Sequence, residues 1–79
     1  MSNYYETVKE LICEMFGVEE DRVVLAANLR KDLKLNEDDV MDLAMAIEDI
    51  YDISFSDEEL YEDLQTVQDY VLHIIDFFS

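Results

Sequence analysis

The chain has no proline, one glycine, one cysteine and one histidine, and each scarcity removes a class of function. Without proline, and with Gly17 as the sole glycine, it has neither long linkers nor a Gly-rich loop to cradle a phosphate. The lone Cys13 closes no internal disulfide, which suits a reducing cytoplasm. One Cys and one His assemble no zinc cluster and no convincing Cys–His nucleophile pair. An EF-hand loop needs ligands in alternation around a central glycine, and no such loop surrounds Gly17. No apolar run approaches bilayer length, and the opening MSNYYETVKE lacks the basic-then-apolar order of a signal peptide. No internal repeat or low-complexity segment is visible.

Basic residues are scarce as well. Five of them (Lys9, Arg22, Arg30, Lys31, Lys34) face 21 acids, for a net charge of -16. All five lie before position 35, with 7 of the acids; the other 14 acids follow, so the second part of the chain carries nearly all of the charge. A phosphate backbone is repelled by such a surface, which argues against nucleic acid. A basic-surfaced protein partner is favoured, and long-range attraction would speed the encounter.

What is present is apolar. A hydrophobic fraction of 51%, with 11% aromatics, argues for a folded core despite the charge. Residues 1–79 are expected to form one domain, near the size at which a single core just suffices. Tyr4, Tyr5, Val8, Leu11, Ile12, Met15 and Phe16 recur at three- and four-residue steps, which predicts an amphipathic helix over residues 3–16. Ser2 or Asn3 would cap it, and Gly17 would end it in the left-handed conformation, with Val18 as the following apolar contact. Cys13 flanks that stripe and reads as a small, partly buried residue, since no His or cation is placed to activate it.

Between residues 18 and 35 the helical period is lost. The segment reads as an ordered loop pinned by Val23, Val24, Leu25, Leu29, Leu33 and Leu35, with a helical turn near 20–23 or 29–33. Residues 36–51 then form the most strongly marked helix. Asn36 caps it, Asn36 and Asp39 have capping-box spacing, and Glu37, Asp38 and Asp39 meet the positive end of the macrodipole. Val40, Leu43, Ala44, Ile47, Ile50 and Tyr51 fall on one face; Asp38, Met41, Asp42, Met45 and Asp49 fall on the other. A solvated face has little reason to carry methionines. An acidic face that docks on a basic, partly apolar surface does.

Ile53 and Phe55 are expected to tuck inward after that helix. Ser56 followed by three acids opens a short helix over 57–62, and Thr66 with Asp69 caps a last helix through Val67, Tyr70, Val71, Ile74, Ile75 and Phe78. His73 falls off that stripe and is expected in solvent. No β-hairpin signal appears. The fold class is therefore all-α: three longer helices and one short one around a common core, with a long ordered loop after the first. Among so many carboxylates chance acid–base pairs are expected, and no catalytic residue or metal site is assigned.

Several short strings resemble acyl carrier proteins: Phe16-Gly17-Val18, Asn28-Leu29-Arg30-Lys31-Asp32-Leu33, Leu43-Ala44-Met45-Ala46-Ile47-Glu48, Asp57-Glu58-Glu59 and Thr66-Val67-Gln68. They follow that family's spacing from Gly17 to Glu59, with one extra residue before Thr66. The resemblance implies a small four-helix bundle of acyl-carrier type. It also implies a 4′-phosphopantetheine arm on the serine of an Asp-Ser-Leu motif at the start of the second helix. The matching positions are Asn36, Glu37 and Asp38, and the glycine usual two residues earlier is Lys34. Glu37 has no hydroxyl, and Thr7 is the only serine or threonine between Ser2 and Ser54, so no arm is expected at the usual site. Met41, Asp42, Met45, Glu48 and Asp49, with Asp38 at the substituted leucine, match the surface that in carriers meets basic patches on partner enzymes.

The function expected from these residues is non-covalent docking on an enzyme of acyl (including fatty acid), polyketide or peptide synthesis, by a cytoplasmic monomer. The alternatives are a working carrier modified at an unorthodox position, an acidic decoy of nucleic-acid-binding sites, and lipid binding in the bundle core.

Overall fold

The computed structural model describes residues 3–78. The three α-helices, and the short helix ahead of the last of them, each begin where a short polar side chain satisfies the first free N–H groups. The Asn3 side chain accepts the Glu6 N–H at 3.2 Å and starts α1 (Tyr4–Phe16). Gly17, at φ +69°, ends α1 by donating its N–H to the Cys13 carbonyl at 3.0 Å. Asn36 and Asp39 exchange side-chain bonds at 2.8 and 3.2 Å and open α2 (Glu37–Tyr51), which Asp52 closes in the left-handed region. Ser56 and Glu59 do the same at 3.2 and 3.0 Å ahead of a short π helix, Glu59–Asp63, which runs one residue past the predicted end. Its wider turn is closed by the Leu64 N–H bonding the Glu59 carbonyl at 2.8 Å. Thr66 and Asp69 form the third reciprocal pair and open α3 (Val67–Phe78).

The loop after α1 is held as tightly as the helices. It makes one 3₁₀ turn, Glu20–Arg22, and buries Val23, Ala27, Leu29, Leu33 and Leu35. The Asn28 side chain accepts the N–H groups of Arg30 and Lys31, while Asp32 accepts the Asn28 N–H at 2.7 Å. Backbone pairing then joins the loop to the start of α3: the Val67 N–H reaches the Ala27 carbonyl, and the Gln68 N–H reaches that of Leu25. Two N–H groups that α3 cannot satisfy internally are thereby paired by a sequence-distant segment. The Tyr5 hydroxyl donates to the Val23 carbonyl at 2.6 Å and fastens the loop to α1. Val24 and Leu25 do not serve as pins, because the turn closed by the Ala27 N–H on the Val24 carbonyl leaves both side chains outside.

One buried cluster gathers Val8 and Ile12 of α1; Val40, Leu43, Ala44 and Ile47 of α2; Leu60 and Leu64; and Val67, Tyr70, Val71 and Ile74 of α3. α1 packs against both α2 and α3. Tyr4, Tyr51 and Phe78 meet ring to ring at one end of the bundle, with centroids 5.4 to 6.2 Å apart. Two flanking residues of α2 exchange places relative to the helical-period expectation. Ile50 is 52% exposed, whereas Met41 packs half-buried against the core. Both lie at the edges of the apolar stripe, where the neighbouring element and not the period decides cover. Ile75 and Phe78 of α3 are likewise exposed. Among the described residues no helix is long and apolar enough to cross a membrane.

Candidate functional site

The sequence assigns the start of α2 as the site, and the structure joins three chain segments there. Glu37 is the first residue of α2 and faces solvent, yet its carboxylate is gripped by Arg30. The Arg30 Nε lies 2.6 Å from Oε1, and Nη2 lies 3.4 Å from Oε2. Arg30 comes from the turn stapled by Asn28, and its Nη2 also approaches the Leu60 carbonyl of the short helix at 3.5 Å. The guanidinium therefore ties the loop, the α2 N-terminus and the short helix together. The Arg30 hydrogen bond holds the Glu37 carboxyl below the usual carboxylate range, and the same pair raises Arg30.

Behind the pair lies Tyr70, fully buried. Its hydroxyl and the buried Arg30 Nη1 find no hydrogen-bond partner among the described residues. Burial, chiefly, pushes the Tyr70 phenol up. Lys34, two residues before Asn36, stands at φ +61°. That left-handed position is one at which glycine is free of strain and lysine is not.

The acidic face divides into two parts. Asp38, Asp42, Met45 and Asp49 are exposed and follow one another at four-, three- and four-residue steps, so they form a single narrow stripe along α2. Met45, at 61% exposure, is its apolar centre. The three aspartates make no ion pair among the described residues. Met41 lies beside the stripe and is half-buried. Glu48 is half-buried too, and its Oε2 accepts the Phe55 N–H at 2.7 Å. Glu48 thus fixes the turn after α2 with one oxygen and presents less charge outward than its position suggests.

His73 departs from the expectation of solvent exposure. Its side chain is 24% exposed, its Nε2 lies 3.1 Å from the Glu59 carboxylate, and its ring sits 5.0 Å from that of Phe55. Glu59, which caps the short helix through Ser56, is held below the usual carboxylate range mainly by that backbone hydrogen bond. Sequence spacing gave no sign of this contact, nor of Arg30 on Glu37, because both cross between elements that only the fold brings together.

The hydroxyls have other duties. Thr7 donates to the Asn3 carbonyl, Ser56 and Thr66 accept capping N–H groups, and Ser54 is exposed in the turn after α2. Cys13 is half-buried, with its thiol raised chiefly by desolvation. No three His, Cys, Asp or Glu side chains converge as a metal site among the described residues.

A small α-helical bundle with a long ordered first loop, whose second helix opens at an exposed pole, has the architecture of a carrier domain. The family model described as phosphopantetheine attachment site matches residues 6–74. The chain belongs to that family, whose members are carriers and not catalysts and which meet partner enzymes.

Proposed function

We propose that this carrier-type module works without an arm at the usual position and docks non-covalently on a basic-surfaced partner enzyme of acyl, polyketide or peptide synthesis. The observation that carries this reading is the Arg30–Glu37 pair. The first residue of α2 supplies a carboxylate where an attachment site needs a hydroxyl nucleophile. That carboxylate is already neutralised by a neighbouring cation, so it imitates the charge of a phosphodiester poorly. No serine or threonine lies on α2 or on the loop before it.

Docking rests on Asp38, Asp42, Met45 and Asp49, with Met41 and Glu48 at the margin. Three unpaired acids around an exposed methionine offer both long-range attraction and a short apolar contact. The module is proposed to act as a cytoplasmic monomer with no catalytic residue, no metal and no bound cofactor of its own, serving as scaffold, regulator or competitor at the partner.

The test is the intact mass after incubation with coenzyme A and a broad-specificity phosphopantetheinyl transferase, for the wild type and for a Glu37→Ser, Asp38→Leu variant. A gain in the variant alone supports the proposal. A gain in the wild type overturns it and directs peptide mapping first to the exposed Ser54. For docking, equal partner affinity of the wild type, Met45→Ala and Asp42→Lys would eliminate the α2 stripe.

A further inference from the structure

The α2 stripe leaves unexplained a shallow groove along α3. The face of α3 centred on Val67, Tyr70, Val71 and Ile74 is core, yet Leu72 is 52% and Ile75 44% exposed. Single exposed apolar side chains are ordinary. These two, however, line one open groove whose floor is the buried Leu64 and whose edges carry Asp63, Asp69 and His73. Among the described residues no lysine or arginine lines it. The Asp69 Oδ2 is committed to the Gln65 and Thr66 N–H groups, but its negative charge remains at the edge. His73 is turned toward Glu59. The groove therefore offers apolar surface within a negative field.

We propose that this groove binds a short amphipathic helix of a partner protein, with leucine-like side chains against Leu64, Leu72 and Ile75 and a Lys or Arg opposite Asp63. Charge complementarity selects that occupant. A second copy of a chain with net charge -16 and an anionic lipid surface are both repelled, and an uncharged acyl chain leaves the negative edge unused. α1 packs between the two helices that carry the surfaces. The α3 groove and the α2 stripe thus belong to different helices, and the chain has the means to hold two basic segments at once. This proposal does not depend on whether Glu37 carries an arm.

The experiment titrates the isotopically labelled full chain with a synthetic amphipathic Leu/Lys helical peptide and follows backbone amide shifts. A Ser/Lys peptide of equal charge serves as control. The expected result is a set of shifts over residues 63–75 that the Ser/Lys peptide does not reproduce. Losing one apolar or one charged contact should weaken that set about fivefold or more in Leu72→Asn and in Asp63→Lys, while Met45→Ala leaves it unchanged. Both substitutions fall on exposed side chains, and two independent variants separate loss of binding from loss of fold. Shifts confined to residues 38–49, equal binding of the Ser/Lys peptide, or unchanged affinity in both groove variants would overturn the proposal. So would a chain that sediments as a dimer through this face and excludes the peptide.

Discussion

Among the described residues three, all outside the helices, have positive φ, and they differ in kind: Gly17 at +69°, Lys34 at +61° and Asp52 at +55°. Left-handed backbone costs an ordinary L-residue roughly 1–2 kcal/mol, aspartate less because its short polar side chain tolerates the region, and glycine almost nothing. Glycine gives back roughly 0.5–1 kcal/mol through the greater freedom of its unfolded chain. Lys34→Gly should therefore stabilise by about 0.5–1 kcal/mol, which for a domain of this size is a rise in Tm of about 2–8 °C.

Removing a cation from so acidic a chain works in the opposite direction, so Lys34→Ala is the reference. Alanine removes the same charge and keeps the backbone strain. The gain of Lys34→Gly over Lys34→Ala, measured by urea denaturation in moderate salt, isolates the backbone contribution. Gly17→Ala tests it in reverse. A Cβ there meets nothing within 4 Å, so the expected loss of about 0.5–1 kcal/mol is conformational and not steric. Asp52→Gly should gain less than about 0.5 kcal/mol. Equal stability of Lys34→Gly and Lys34→Ala, together with a neutral Gly17→Ala, would refute the reasoning.

Tyr70→Phe removes a buried hydroxyl that has no hydrogen-bond partner among the described residues and keeps the edge-on ring contact with Phe55 at 5.8 Å. It should be neutral or stabilise by up to about 1 kcal/mol, and a clear loss in urea denaturation would show that the hydroxyl is bonded. Because the Glu37 carboxyl is held below its ordinary value by Arg30, the pair contributes stability above the unfolded carboxylate pKa and loses it as pH falls through the lowered folded value. Carbon-detected titration should find the Glu37 pKa higher in Arg30→Gln than in the wild type; an unchanged value would mean that the ion pair does not form in solution. With most of the -16 charge after residue 35, the fold should gain melting temperature with added salt or divalent cations near neutral pH. A flat response across both titrations would count against the repulsion argument.

The sequence determined the helices because their signals are local. Caps three residues apart, a three-to-four-residue apolar period and a glycine after Phe16 all act within one or two turns. They located α1, α2, α3 and the short helix to within two residues. The same periodicity picked out Asp38, Asp42, Met45 and Asp49, since one helix is enough to align them. Period alone failed at stripe edges: Ile50 and Met41 each sit where a neighbouring segment decides cover, and Ile75 and Phe78 pass the end of what the core can reach. Glu48, assigned to the docking surface by the family resemblance, is held to the Phe55 N–H by a turn whose course its own helix does not encode.

The site's chemistry was decided by tertiary structure. Arg30 and Glu37 are seven residues apart on different elements, and their 2.6 Å contact exists because the loop is stapled at Asn28 and bonded to the start of α3. Tyr70 arrives beneath them from α3, and His73 of the same helix meets Glu59. Local chain energetics are readable one segment at a time. The charge state and accessibility of a side chain are set by groups distant in sequence, and these become neighbours only when the core has closed.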